Sequence, residues 1–277
     1  MNTILVPTDF SNTAYNAARY GLLLAKQLGA GKLVLYNAYQ TPVIGDAMAS
    51  TVALIDFDTY QQVSKNGLEA QKEELEGLDI EGVEIDTLSV FNFLVGGIDD
   101  VCKDVEADLI VMGITGASGI EETFIGSNTI SVAKHTKVPV IIVPANASFT
   151  SIKKVLLTCD FKDVSSSLPT DAIASFLKDS RAELHVLHVE KADKTHSNEA
   201  VFETVPLETL LGQFNPQYHF VSCGNFAEGV DSFAIANEID IVIVLPKKHG
   251  ILDSLFHKSH TKALAFHSHI PLVVIHD

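Results

Sequence analysis

The chain repeats itself, and that limits what it can fold into. Asp9-Phe10 returns as Asp160-Phe161, and Leu33 and Leu35 return as Leu184 and Val186, all displaced by 151 positions. Farther along, Glu106-x-Asp108-Leu109-Ile110-Val111 returns as Glu238-x-Asp240-Ile241-Val242-Ile243, displaced by 132. Val138-Pro139-Val140-Ile141-Ile142-Val143 returns as Ile270-Pro271-Leu272-Val273-Val274-Ile275, also at 132. The displacement shrinks because the first copy carries 19 more residues in its middle, around Gln40 to Gln71. A period this long means two copies of one domain, not a solenoid of short repeats. A length of 277 residues also suits two domains. The small polar stretch Ala145-Asn146-Ala147-Ser148 sets the expected boundary, giving domains 1–147 and 148–277.

Within a copy, short apolar runs alternate with helical stretches. The runs are Thr3–Val6, Lys32–Tyr36, Val83–Leu88, Asp108–Met112 and Val138–Val143. Each has strand length, and several are apolar without alternation, as in parallel strands covered on both faces. Asn12 to Leu28 carries apolar residues at helical spacing, and Gly29 stands where a left-handed cap would close the helix. Tyr60 to Glu76 reads as an acidic helix. Strands alternating with helices predict a doubly wound, Rossmann-like α/β fold.

Composition narrows the function. Nineteen basic against 35 acidic residues give a net charge of −16, which disfavours a nucleic-acid partner. The first 150 residues hold 8 basic and 19 acidic residues; solvated helix faces explain most of that acidity. No apolar run approaches a membrane span, and Met1–Val6 does not resemble a signal peptide. Three cysteines without a Cys-x-x-Cys spacing fit neither a disulfide scaffold nor a local thiolate zinc site. A soluble, cytoplasmic protein is expected.

The sharpest motif follows the fourth run: Gly113-x2-Gly116-x9-Gly126-Ser127-Asn128. Glycines at the end of a parallel strand permit a sharp turn and a close backbone approach to a ligand. A helix from Ser127 to His135 would aim free N–H groups and a positive dipole end at that place, enough to hold phosphate without Lys or Arg. The motif is neither a Walker loop nor the dinucleotide Gly-x-Gly-x-x-Gly fingerprint. A glycine-rich strand-to-helix turn without a ligand is the alternative reading.

These glycines with Ser127 resemble the nucleotide-binding signature of the universal stress protein family. Ile4–Ser11, Ala107–Gly113 and Val138–Val143 resemble the same family's strands, and the resemblance extends over both copies as a tandem member. It implies a five-stranded parallel sheet per domain in the order 3-2-1-4-5, and ATP or a related adenine nucleotide at the carboxyl edge. Pro7, Thr8 and Asp9 would line the adenosine end, with Asp9 near the ribose or a nucleotide-bound Mg. Ala38 would meet adenine through its backbone. Met112, Gly113, Gly116, Gly126, Ser127 and Asn128 would hold ribose and phosphates. Without the resemblance, Asp9 reads equally well as a turn residue before the first helix. The two domains would pair within the chain, Val138–Val143 running antiparallel beside Ile270–Ile275, and two chains can associate further as a homodimer.

The second copy departs from the motif. Gly113, Gly116 and Gly126 correspond to Leu245, Lys248 and Lys258, Thr8 to Cys159 and Asn128 to His260. Asp160, Ser259 and Thr261 are kept, and Pro246 removes a backbone donor. This copy is expected not to bind ATP in the family's manner; its role is structural or regulatory. Ten of the 11 histidines lie in it, and His257-x2-His260 has metal-compatible spacing, although a polar surface explains these residues as well. Cys159 and Cys223 read as buried fillers.

The resulting expectation is a stress-response regulatory module that binds ATP. Enzymes on similar folds carry His-x-Gly-His near the first turn, where this chain has Pro7-Thr8-Asp9-Phe10-Ser11. No nucleophile–base pair is legible beside the loop. A slow ATPase or nucleotidyl transferase, and a nucleotide-free scaffold with a metal- or anion-binding second domain, are the alternatives.

Overall fold

In the computed structural model, residues 1–40, 49–114, 126–159, 168–190, 204–245 and 270–276 are described. The first half runs β1 (Thr3–Pro7), α1 (Asn12–Leu28), β2 (Lys32–Tyr39), α2 (Ala49–Glu76), β3 (Glu84–Phe91), α3 (Leu94–Asp104), β4 (Leu109–Gly113), α4 (Ser127–His135) and β5 (Val140–Val143). The second runs β6 (Lys154–Thr158), α5 (Thr170–Ser180), β7 (Glu183–Glu190), α6 (Thr204–Leu211), β8 (Gln217–Ser222), α7 (Phe226–Ala236), β9 (Ile241–Val244) and β10 (Leu272–Val274).

All ten strands form one sheet, ordered β3-β2-β1-β4-β5-β10-β9-β6-β7-β8. The first five strands are mutually parallel in the order 3-2-1-4-5, and the last five mirror that order. The two sets meet antiparallel, with Ile141 opposite Val273. The junction turns two would-be edge strands into interior ones, which removes exposed ladder groups.

The strand sequences explain the layering. β1, β5 and β9 are buried along their whole length, as strands covered by helices on both faces must be. The edge strands β3 and β8 mix exposed and partly covered residues. Leu33, Leu35, Val155 and Leu157 feed a core on the α1 and α5 face. Val34, Tyr36, Leu156 and Leu187 feed a second core on the α3 and α7 face.

α1 begins where the Ser11 Oγ accepts from the Ala14 N–H and ends at Gly29, whose φ of 70° is the left-handed conformation expected there. Its polar residues fasten the halves together. The Gln27 amide donates to the Ile152 and Ser180 carbonyls (2.7 and 3.2 Å) and accepts from the Ile152 N–H (2.8 Å). Asn16 donates to the Ala147 carbonyl (2.9 Å), and Tyr20 meets the ring of Phe149 edge-on. The Met1 ammonium contacts the Asp179 carboxylate at 2.6 Å.

Backbone details recur at the two sequence displacements. Asp108 accepts from the N–H groups of Asn2 and Thr3, and Asp240 accepts from those of Lys153 and Lys154. Glu106 and Glu238 both adopt positive φ, 53° and 55°. Among the described residues, no helix is long and apolar enough to cross a membrane.

Candidate functional site

The strand order reverses between β1 and β4, and chain connections leave a crevice at such a switch point. A cleft of about 360 Å³ opens there, within the usual range for small-molecule sites. Its walls come from the carboxyl ends of β1, β2 and β4 and the start of α4.

Nine of the ten residues expected from the sequence border this cleft. Pro7, Thr8 and Asp9 form one lip, Ala38 lies at the end of β2, and Met112 and Gly113 close β4. Gly126, Ser127 and Asn128 open α4 on the facing side. Gly116 lies outside the described residues. So do Asp160, Pro246, Lys248, Lys258, Ser259, His260 and Thr261, with His257.

The Pro7–Asp9 lip is held by its neighbours. The Thr8 N–H donates to the Tyr36 carbonyl (2.8 Å), and the Asn37 side chain donates to the Thr8 carbonyl (2.7 Å). The Asp9 carboxylate accepts from the Ser11 N–H (3.1 Å), and Phe10 turns the chain with φ 63°. Asp9 is therefore both the turn residue and an exposed carboxylate at the cleft.

Gly113 has a structural reason beyond the one its motif suggests. A Cβ there would lie 2.7 Å from the Thr13 carbonyl oxygen and 3.3 Å from the Ala14 nitrogen. The missing side chain is what lets the first turn of α1 lie against the end of β4. Thr129 adds a bond from its hydroxyl to the Gly113 carbonyl (2.9 Å).

The start of α4 carries the electrostatics. Gly126 is its N-cap and supplies no side-chain cap. The Gly126 N–H is spent on the Ile114 carbonyl. The N–H groups of Ser127, Asn128 and Thr129 have no intrahelical acceptor, as at any helix start. Ser127 and Asn128 are exposed to the cleft. No Lys or Arg occurs among the described lining residues, so this helix end is their main source of positive potential. An anionic ligand suits it. Asp9 is the one carboxylate among those residues, and no described cluster of three or more His, Cys, Asp or Glu could hold a metal ion. A magnesium ion would therefore take most of its oxygen ligands from phosphate and water.

Sequence reasoning missed Asn37, Tyr36, Leu94, Ala14 and Thr129 as lining residues. Asn37 alone carried a signal: a polar residue within the apolar β2 run.

In the second half, Cys159 and Leu245 stand at the positions of Thr8 and Gly113, and both are buried. The Cys159 N–H donates to the Leu187 carbonyl (3.0 Å), as Thr8 does to Tyr36. His276, the one C-terminal histidine described, uses Nε2 on the Ala133 carbonyl of α4 (2.6 Å).

Fold and cleft together define a Rossmann-like α/β protein with a ligand-type crevice at the carboxyl edge of its sheet. The universal stress protein family model matches residues 1–144, and the chain belongs to that family. A universal stress protein of Methanocaldococcus jannaschii is 30% identical over 140 residues, covering 50% of this chain and 80% of its own. The universal stress protein YxiE of Bacillus subtilis is 26% identical over 145 residues, covering 51% and 98%. The crystal structure of a universal stress protein from Archaeoglobus fulgidus superposes with a TM-score of 0.69 at 18% identity, covering 99% of this chain and 96% of that one. This last likeness concerns the fold alone.

Proposed function

We propose that the chain is a stress-response regulatory protein holding ATP, or a related adenine nucleotide, in the cleft of a first domain, residues 1–147. Residues 148–277 then form a second domain with a structural or regulatory role, paired with the first inside the chain. The observation that carries this reading is the uncapped start of α4 facing the Pro7–Asp9 lip across one cleft. An acidic half of 8 basic and 19 acidic residues needs such a device: backbone N–H groups hold phosphate without side-chain cations. The Pro7–Asp9 lip and Ala38 take the adenosine end, and magnesium enters on the phosphates beside Asp9. The protein acts in the cytoplasm as a binding module, and Asp9 is the carboxylate among the described lining residues that could assist slow hydrolysis.

The test is direct. Protein purified without added ligand is denatured and the released small molecules are identified, and the emptied chain is titrated with ATP by calorimetry. One adenine nucleotide per chain is expected. A chain that releases none and gives no heat with ATP refutes the reading.

A further inference from the structure

Asn37 is a polar residue in an apolar strand, 8% exposed, and it lines the cleft one position before Ala38. Its amide orientation is fixed chemically. The partner at 2.7 Å is the Thr8 carbonyl, which can only accept, so Nδ2 faces Thr8 and Oδ1 faces away. Among the described residues, Oδ1 receives no hydrogen bond. The amide is thus anchored through Nδ2 and keeps one spare acceptor, Oδ1, in a residue that lines the cleft.

The second half separates the two ends of this side chain. At the position of Asn37 stands His188, whose Nδ1 lies 3.0 Å from the Cys159 carbonyl. The donating contact to the strand-end carbonyl is therefore common to both halves and belongs to the fold. A carboxamide oxygen is found only in the half that carries the glycine motif.

We infer that Asn37 is a base-reading residue of this cleft: its Oδ1 accepts from the exocyclic amine of a 6-aminopurine and disfavours a 6-oxopurine. The inference rests on the nucleotide reading above. A 6-oxo group would bring a second acceptor against Oδ1, and neither oxygen could donate to the other. A site built to bond one substituent rejects the analogue lacking it far better than an apolar pocket rejects a change of size.

The experiment compares ATP with inosine triphosphate by calorimetry, for the native chain, Asn37→Ala and Asn37→Thr. The two nucleotides share ribose and phosphates, so only base reading separates them. The native chain is expected to favour ATP by about tenfold or more, the factor that one well-made hydrogen bond supplies. In both variants the ratio of the two affinities should fall to near one, although loss of the bond to the Thr8 carbonyl can weaken both nucleotides together. Asn37→Thr serves if Asn37→Ala fails to fold, because a β-branched residue suits the strand. A native chain that binds both nucleotides equally, or variants that keep the native preference, overturn the assignment to Asn37 while leaving the cleft's nucleotide reading intact. A native chain that binds neither overturns that reading and this inference with it.

Discussion

Gly113→Ala tests whether the cleft depends on a missing methyl group. The added Cβ would start 2.7 Å from the Thr13 carbonyl oxygen and 2.9 Å from its carbon, both backbone atoms. Ordinary contact begins near 3.4 Å, so α1 or β4 must give by about 0.7 Å. Neither yields easily. β4 is parallel-paired on both sides, and the first turn of α1 is tied by Ser11 to the Ala14 N–H and the Thr13 hydroxyl. Overpacking of this kind costs about 1–3 kcal/mol. A chain of this size loses ~2–4 °C of Tm per kcal/mol. Because the moving turn follows the Pro7–Asp9 lip, nucleotide affinity should fall with stability. Gly31→Ala is the control: a Cβ there meets nothing within 4 Å and φ is not positive. Scanning fluorimetry and urea midpoints on both variants decide the matter. Equal stability of Gly113→Ala, Gly31→Ala and the native chain refutes the packing account.

Two further outcomes follow from contacts outside the cleft. His185 and His219 stack with Nδ1 and Nε2 3.0 Å apart, and burial lowers the pKa of both below the ordinary imidazole range. Glu183 partly offsets this for His185, Lys154 adds to it, and His185 depresses His219 further. The folded state therefore binds these protons less readily than the unfolded chain, and stability falls as pH drops through the range where free imidazole titrates. Urea midpoints should decline between about pH 7.5 and 5.5, and His219→Phe should flatten that decline; an unchanged slope counts against the pair. Gln27→Ala removes three bonds that tie α1 to the second half, at 2.7, 2.8 and 3.2 Å. Partly buried backbone groups at Ile152 are left unpaired, at a cost of about 1–3 kcal/mol, visible as a lower urea midpoint; no change would show that water replaces the side chain.

Local signals were legible where the deciding contacts were local. α1 starts at Asn12 and stops at Leu28, the bounds its periodicity and Gly29 dictate. The antiparallel meeting of the two last strands was accessible only through the family resemblance, the repeat adding which strand of the second half takes part. The end of β3 was missed: the expected run stops at Leu88, while pairing with β2 carries the strand through Val90 to Phe91 opposite Tyr39. Val138 and Pro139 look like strand residues, yet β5 begins at Val140 and β10 at Leu272, each just past its proline. Asn37 stood out as a polar residue in an apolar run and Gln27 did not, but the partners of both were hidden for a different reason. Their partners lie 29 and 125 residues away, and a side-chain-to-backbone bond leaves no mark on the partner's identity.

Gly113 and Leu245 show how the same sheet position can serve different ends in the two halves. Gly113 is the last residue of β4 and Leu245 directly follows β9, 132 positions on. The strand-end bonds are kept: Thr8 to Tyr36 and Asn37 to Thr8 in one half, Cys159 to Leu187 and His188 to Cys159 in the other. These bonds satisfy backbone groups at the ends of β1 and β6 in both halves. The glycine satisfies nothing; it only leaves space. In the first half a helix turn fills that space down to 2.7 Å of where a Cβ would stand. In the second, Leu245 occupies the corresponding place with its side chain 6% exposed. A helix start cannot approach a leucine as it approaches a glycine, so a strand end can keep the Thr8- and Asn37-type bonds without the close approach that Gly113 permits. Leu245→Gly alone should therefore lower stability by the usual large-to-small cost of about 2–5 kcal/mol without creating nucleotide binding. Gain of ATP binding by that single change, read by calorimetry, would show that the wall needs nothing else.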